Sequence, residues 1–385
     1  MKNNYDHYII AGCGLAGAVI ARELAEKGKD ILICERRSHI GGNMYDEMTP
    51  EGILVQRYGP HTFHTNNEKV YSYLERFARF SSYRLTYLTE VAEKLVRCPF
   101  DFSTIRSLYS PTKAEKLIAC LKEEFGKSVK ISVFDLLESK NEIICEYANL
   151  LFEEDFRPYT AKQWGVPPEQ IDPSVIGRVP IILGEQFSYF DDLFEGQPEQ
   201  GFTAMFHRML DHPRITVKTN TDILPFLSFD EAAKQVLFSG HANVGIIYTG
   251  PLDQLFGNCY GYLPYRSLRF DYEVLPMRSA QKAAIVAYPK AKGYTRITEY
   301  TKLPQQTALN CTLIAKEYPL PAGVGDTGQE PYYPIQNPQN IALAKKYQKK
   351  AQTYSNMYLC GRLAQYQYYN MDQVVEEALN LVSVL

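Results

Sequence analysis

Residues 5–43 read "YDHYIIAGCGLAGAVIARELAEKGKDILICERRSHIGGN", and this stretch decides the fold. An apolar, β-branched run through Ile10 gives way to glycines. "LAGAVIARELAEKG" follows, with apolar side chains at helical spacing and Gly28 as a stop. "DILICE" then reads as a short buried strand that ends in an acid, so the order strand, helix, strand predicts a β-α-β unit. Gly12, Gly14 and Gly17 stand at G-x-G-x-x-G spacing, and each meets a separate need. The turn is tight, the backbone must approach a pyrophosphate, and the helix must pack closely on its strand with its N-terminus toward the phosphate. Glu35, twenty-three residues after Gly12, closes the second strand, where a carboxylate takes the ribose hydroxyls of an adenosine. A dinucleotide-binding domain is expected.

After Glu35 and Arg36 comes a second glycine turn, Gly41-Gly42-Asn43, which resembles FAD-binding proteins more than NAD dehydrogenases. Only one fingerprint occurs, so a reductase with separate FAD and NAD(P) domains is not expected. The end of the chain, "NMYLCGRLAQYQYYNMDQVVEEALNLVSVL", reads as a strand, Gly361-Arg362, a tyrosine-rich turn and an amphipathic helix. Asn370 and Asp372 are both candidate N-caps. A last strand and helix that return to the nucleotide domain make it discontinuous, over 1–75, 205–250 and 335–385. Residues 101–163 are expected as a small helical insertion, and 76–100, 164–204 and 251–334 as an antiparallel sheet domain. The expected fold class is α/β, a discontinuous Rossmann-like domain with these two additions. "PLPAGVGDTGQEP" (319–331) reads as a loop. "EEDFRPYTAKQWGVPPEQIDPSVIGR" (153–178), with four glycine or proline breakers from Gly165 to Pro173, reads as a loop able to close over a ligand.

With 45% apolar and 22% charged residues, the composition is that of an ordinary globular protein. A net charge of −3 gives no bulk attraction to nucleic acid or anionic lipid, so an anionic ligand needs a local cluster of basic side chains. The eight cysteines form no C-x-x-C pair, which points away from a metal site or disulfide scaffold and toward reduced thiols in a cytoplasm. No leader is expected, and no run of about eighteen apolar residues suggests membrane insertion.

Several stretches then share a pattern: "YGPHTFHT", "PYTAKQWG", "IIYTGPLDQLF", "YRSLRF", "YTRITEY", "EPYYPI" and "GRLAQYQYYNMDQV". In order and spacing, from Tyr8 to about Leu379, the chain resembles UDP-galactopyranose mutase of the bacterial type. That resemblance implies a flavin-dependent isomerase that interconverts UDP-galactopyranose and UDP-galactofuranose, with the 2-acetamido sugar as a further substrate of some members. It implies reduced FAD as the active cofactor, with reduced N5 bonding transiently to the sugar while UDP leaves and returns. It also implies NADPH or NADH as the external reductant, and a homodimer.

The resemblance distributes the residues as follows. Arg178 and Arg296 match the two diphosphate arginines and carry the catalytic role, since a guanidinium fork suits phosphate oxygens. Tyr189, Tyr333 and Tyr368 match tyrosines that hydrogen-bond the diphosphate, and Arg266 joins the substrate set. Tyr159, Thr160 and Trp164, the chain's one tryptophan, become neighbours of the uridine. His61, Thr62 and His64 lie against the flavin, as do Arg362, Tyr369, Asn370, Met371, Asp372, Gln373 and Val374. Ala16 and Arg36 complete the cofactor set begun by Gly12, Gly14, Gly17, Glu35, Gly41, Gly42 and Asn43. One departure is visible: bacterial members usually read "YYDM" where this chain reads "YYNM", which places Asn370 at the aspartate's position. The competing reading is an amine-oxidase-like FAD oxidoreductase, which shares the β-α-β entry but would consume stoichiometric oxidant and tolerate loss of Arg178 and Arg296.

Overall fold

The computed structural model describes residues 5–164, 179–304, 306, 310–323 and 329–385. Its first sheet is parallel throughout. In spatial order its strands are Ile215–Lys218, Asp30–Cys34, His7–Ala11, Gly245–Tyr248 and Met357–Leu359. His7–Ala11 sits at the centre with Ile10 buried in one apolar cluster and its neighbour Ile9, on the opposite face, buried in another, as a strand covered on both faces requires. The helix Leu15–Glu26 packs back on this sheet and is itself covered by the helices Phe202–Leu210 and Met371–Val384. A Cβ at Gly17 would collide with the Gly12 carbonyl oxygen, so the close approach of helix to strand requires glycine there.

A second sheet of seven strands runs Tyr333–Pro334, Tyr265–Leu275, Thr312–Gly323, Arg296–Glu299, Ile285–Ala287, Tyr87–Val91 and Lys94–Arg97. All its pairs are antiparallel except Ile285–Ala287 with Tyr87–Val91. Residues 102–164 supply the helices Phe102–Leu108, Pro111–Phe125, Val133–Leu137 and Glu142–Leu151, a π-turn Phe152–Phe156, and the helix Arg157–Trp164. These bury their own apolar cluster around Leu117, Leu121, Tyr147 and Leu151. Among the described residues no helix is long and apolar enough to cross a membrane, and no group of three potential ligands could hold a metal ion.

Three local expectations are corrected. The segment expected as a loop from Glu153 is helical as far as Trp164. Arg157 N–H donates to Phe152 O five residues back, and this wider π-turn stands just before Pro158, which has no N–H to offer. Tertiary ties hold the turn: Thr89 Oγ1 donates to Asp155 Oδ1 at 2.5 Å, and Ala92 N donates to Glu154 Oε2 at 3.1 Å. The rest of that expected loop, 165–178, lies outside the described residues.

The second correction concerns "PLPAG", which continues the strand Thr312–Gly323 instead of beginning a loop. Its two prolines share the parity of Glu317, whose carbonyl accepts from Thr295 N at 2.8 Å. Their missing N–H groups therefore face the side where the Arg296–Glu299 strand has already ended, and no ladder bond is lost. The third correction is at the last helix, where Asn370 alone is the N-cap residue and Asp372 lies inside the first turn.

Candidate functional site

At the carboxyl ends of the parallel strands lies a cavity whose wall begins with the glycine turn. Ala11, Gly12, Gly14, Ala16, Gly41, Gly42 and Asn43 line it. Gly12 takes φ +96 and Gly42 φ +56, and a Cβ on Gly42 would stand 3.0 Å from Gly14 Cα, so the two glycine turns nest as bare backbone. Gly14 caps the helix Leu15–Glu26 without a side-chain hydrogen bond, and no acid occupies the first turn. The free N–H groups and the dipole of this end are thus available to an anion.

Glu35 is buried at the end of its strand. Its Oε2 accepts from Cys13 N at 2.7 Å and its Oε1 from Arg37 N at 2.9 Å. A carboxylate has about four acceptor sites, so two remain for hydroxyl groups. Arg36, Thr221–Leu224, Tyr248–Pro251 and Glu330–Tyr332 continue the wall, and Gly361, Arg362, Met371 and Val374 close it beside the N-terminus of the last helix. Bare glycine backbone, a free helix end and a hydroxyl-accepting acid, in that order, form a fitting bed for a dinucleotide.

His61 lines the cavity too. Burial, with the Arg362 and Arg296 guanidinium groups nearby, pushes its imidazole down to about 4, against a hydrogen bond of 2.9 Å between Nδ1 and Gly59 O that works the other way. Neutral His61 must donate from Nδ1 to that carbonyl, which leaves Nε2 as an acceptor. Arg362 is held by backbone: its Nε donates to Tyr369 O at 3.1 Å and its Nη1 to Tyr332 O at 3.3 Å.

Beyond His61 and Arg362 lies a second group of side chains, cationic and aromatic. Strand register sets Arg266 opposite Tyr333, and Arg296 opposite Glu317. Glu317 is almost wholly buried. Its Oε2 alone takes both Arg296 Nε at 2.8 Å and Arg296 Nη2 at 2.7 Å, and two donors converging on one oxygen hold the guanidinium in place. Burial lowers Arg266 to about 10, still charged at neutral pH, with Tyr159, Tyr368, Tyr333 and Glu317 as its electrostatic neighbours. Burial likewise raises Tyr159 to about 12, opposed chiefly by Arg296. Tyr189 feels Tyr159, Arg296 and Tyr368. Tyr333 and Tyr368 stack at 5.1 Å, with the Arg362 Cζ 4.8 Å over the Tyr333 ring. Three guanidinium groups and four phenols, with Glu317 the acid among them, make a concentrated anion site.

The structure therefore brings two sets of expected residues to two adjoining regions. Seven expected cofactor residues do not line the cavity: Gly17, Thr62, His64, Tyr369, Asn370, Asp372 and Gln373. Gly17 packs the helix, and Gln373 Oε1 accepts from Asn370 N at 2.9 Å within the last helix's capping turn. Asp372 Oδ2 accepts from Thr65 Oγ1 at 2.9 Å, and Thr62 Oγ1 accepts from Gln197 Nε2 at 3.0 Å. His64 is engaged by Asp192 at 2.5 Å and stacks on Phe190 at 3.6 Å, because the strand Phe63–Thr65 alternates its side chains between faces. Tyr369 acts through its carbonyl on Arg362. Arg178 and the side chain of Trp164 lie outside the described residues.

Glu317, Arg37 and Glu330 escaped the sequence reading. Only Arg37 carried a local signal, as the second arginine after Glu35; Glu317 is joined to Arg296 only by strand register.

Comparison with known proteins agrees with this architecture. A family model described as UDP-galactopyranose mutase matches residues 154–368, and one described as an NAD(P)-binding Rossmann-like domain matches 10–77. The chain is 36% identical to a UDP-galactopyranose mutase of Mycoplasma pneumoniae, over 98% of this chain and 95% of that protein. It is also 30% identical to a dTDP-fucopyranose mutase of Escherichia coli, over 96% of each. A crystal structure of reduced UDP-galactopyranose mutase superposes with a TM-score of 0.71 at 16% identity, over 99% of this chain and 93% of that one. A putrescine oxidase bound to putrescine superposes at 0.54 with 11% identity, covering 98% of both chains, a likeness of fold alone. With a cavity shaped for a dinucleotide, an arginine-tyrosine site beside it and relatives matched over almost their full length, this chain is an enzyme of the UDP-galactopyranose mutase family.

Proposed function

We propose that the protein interconverts UDP-galactopyranose and UDP-galactofuranose with reduced FAD, supplied with electrons by NADPH or NADH. The observation that carries this reading is the adjacency of the two regions through His61 and Arg362. Bound and reduced, the flavin supplies at N5 a nucleophile for the anomeric carbon. The protein's own groups then have distinct tasks. Glu35 takes ribose hydroxyls, and the helix end at Gly14 faces the cofactor's pyrophosphate. Arg296, fixed by Glu317, and Arg266 hold the substrate diphosphate as it leaves and returns, and Tyr189, Tyr333 and Tyr368 donate to its oxygens. Tyr159, Thr160 and Trp164 receive the uridine, and Arg178 is the second catalytic arginine. His61, neutral at working pH, contributes an acceptor and no charge beside the flavin.

Kinship with the family also supports a cytoplasmic homodimer. The chain divides into a discontinuous FAD domain, a helical insertion and a sheet domain at the boundaries given above. Reduced protein incubated with UDP-galactofuranose, and separately with its 2-acetamido analogue, and followed by chromatography tests the assignment. The pyranose form is the expected product from the first nucleotide. Absence of pyranose from both would remove the proposal.

A further inference from the structure

Arg36, Arg37, Asn43 and Glu330 also line the cavity. Here two distant parts of the chain meet: Glu330 Oε2 accepts from Arg36 Nη2 at 2.6 Å and from Arg37 Nη2 at 2.7 Å. The side chains of Arg36 and Glu330 keep 43% and 36% of their exposure, so this part of the wall meets solvent, while Arg37 keeps 13%. Arg37 is further fixed by Asn43 Oδ1 at 2.9 Å and lies 4.3 Å over the Tyr58 ring. Glu330 leads directly into Pro331 and Tyr332, also on the wall, and then to Tyr333 of the anion site.

We propose that Glu330 is a positioning residue for the cofactor: by holding Arg36 and Arg37 across the cavity it forms a clasp that a dinucleotide must open to enter or leave. The proposal rests on the reading that this cavity takes a dinucleotide. Charge alone gives Glu330 no reason to be here. With Glu35 already beside the two arginines, it lowers the local charge by one more unit next to a ligand whose diphosphate is anionic, and a pure binding site would do better without it. A carboxylate shared by two arginines instead bridges the walls, with one arginine anchored in the nucleotide domain and the acid at the start of the Tyr332-Tyr333 segment. Opening the clasp separates charges that are partly exposed, so the barrier is modest and sensitive to salt.

The test is the kinetics of FAD exchange in the full-length protein, read by the rise of flavin fluorescence on release and its quenching on rebinding, for the wild type, Glu330→Gln and Arg36→Gln. Glu330→Gln is expected to quicken release by about three- to tenfold and rebinding at least as much, so that the dissociation constant does not rise, whereas Arg36→Gln, which also takes a cation from the cavity wall, is expected to quicken both while weakening binding. Wild-type release is expected to accelerate with sodium chloride more steeply than Glu330→Gln release, because salt loosens the clasp only where the acid is present. Unchanged release, or weaker binding with unchanged rebinding, overturns the clasp. Protein that neither carries nor takes up FAD would instead overturn the cofactor reading beneath it.

Discussion

Arg296 is the residue on which most of the anion site converges. On the proposed function, replacing it by Ala removes a charged hydrogen-bond donor from the diphosphate, and it leaves the buried Glu317 without its ion-pair partner. A loss of at least about 1.5–3 kcal/mol is expected, one to two decades in kcat/KM. The flavin absorbance should persist, because Arg296 does not line the dinucleotide cavity. Steady-state kinetics on reduced enzyme, with a visible spectrum of the same sample, reads both. His61 gives a prediction in pH. Its folded pKa of about 4 lies below the usual histidine value of about 6.5, so the unfolded chain takes up the proton first on acidification. Stability is therefore lost as pH falls from about 6.5 toward 4, by up to about 3 kcal/mol from this group. Histidine-labelled NMR should find one imidazole that stays neutral to about pH 5, and His61→Gln should flatten the acid limb of a denaturation series. The two residues also mark what sequence can yield. Arg296 stood in a recognisable motif, whereas the burial that sets the state of His61 comes from chain segments far away in sequence.

At the scale of elements, the helix Arg157–Trp164 shows why the expected loop was wrong. Breakers from Gly165 onward masked the fact that Lys162 is held by three carbonyls, Tyr288 O at 2.8 Å and Ala291 O and Tyr294 O at 2.7 Å each. An ammonium has three donors, and all are used. Tyr288 O also accepts from Ala291 N at 3.1 Å, so Lys162→Met takes the donor from the other two carbonyls in a half-buried setting; a destabilisation of about 1–3 kcal/mol is expected by denaturant titration, with a larger fall in UDP affinity than in FAD affinity. Equal losses of both ligands would mean that the helix does not serve the uridine end. The nucleotide element was legible for a different reason. Its glycines, helix and terminal acid are consecutive in sequence, so local pattern and tertiary need coincide. The long strand Thr312–Gly323 was legible only in its first half, because its prolines lose nothing where the neighbouring strand has stopped.

Across the whole molecule, a parallel nucleotide sheet and a mostly antiparallel sheet meet at His61 and Arg362, and the chemistry proposed here needs both. The order of the motifs along the chain makes this pairing readable from sequence. The two acids that discipline the arginines, Glu317 and Glu330, needed the strand register and the cavity wall. Fold likeness to a putrescine oxidase shows that the same frame does not settle whether electrons are consumed. The decisive measurement is to count flavin oxidation against sugar conversion: anaerobic, fully reduced protein is mixed with a large excess of UDP-galactofuranose, and product and flavin spectrum are followed together. The account predicts many molecules of UDP-galactopyranose per flavin while the flavin remains reduced. No pyranose, or one flavin oxidised for each sugar consumed, would contradict it.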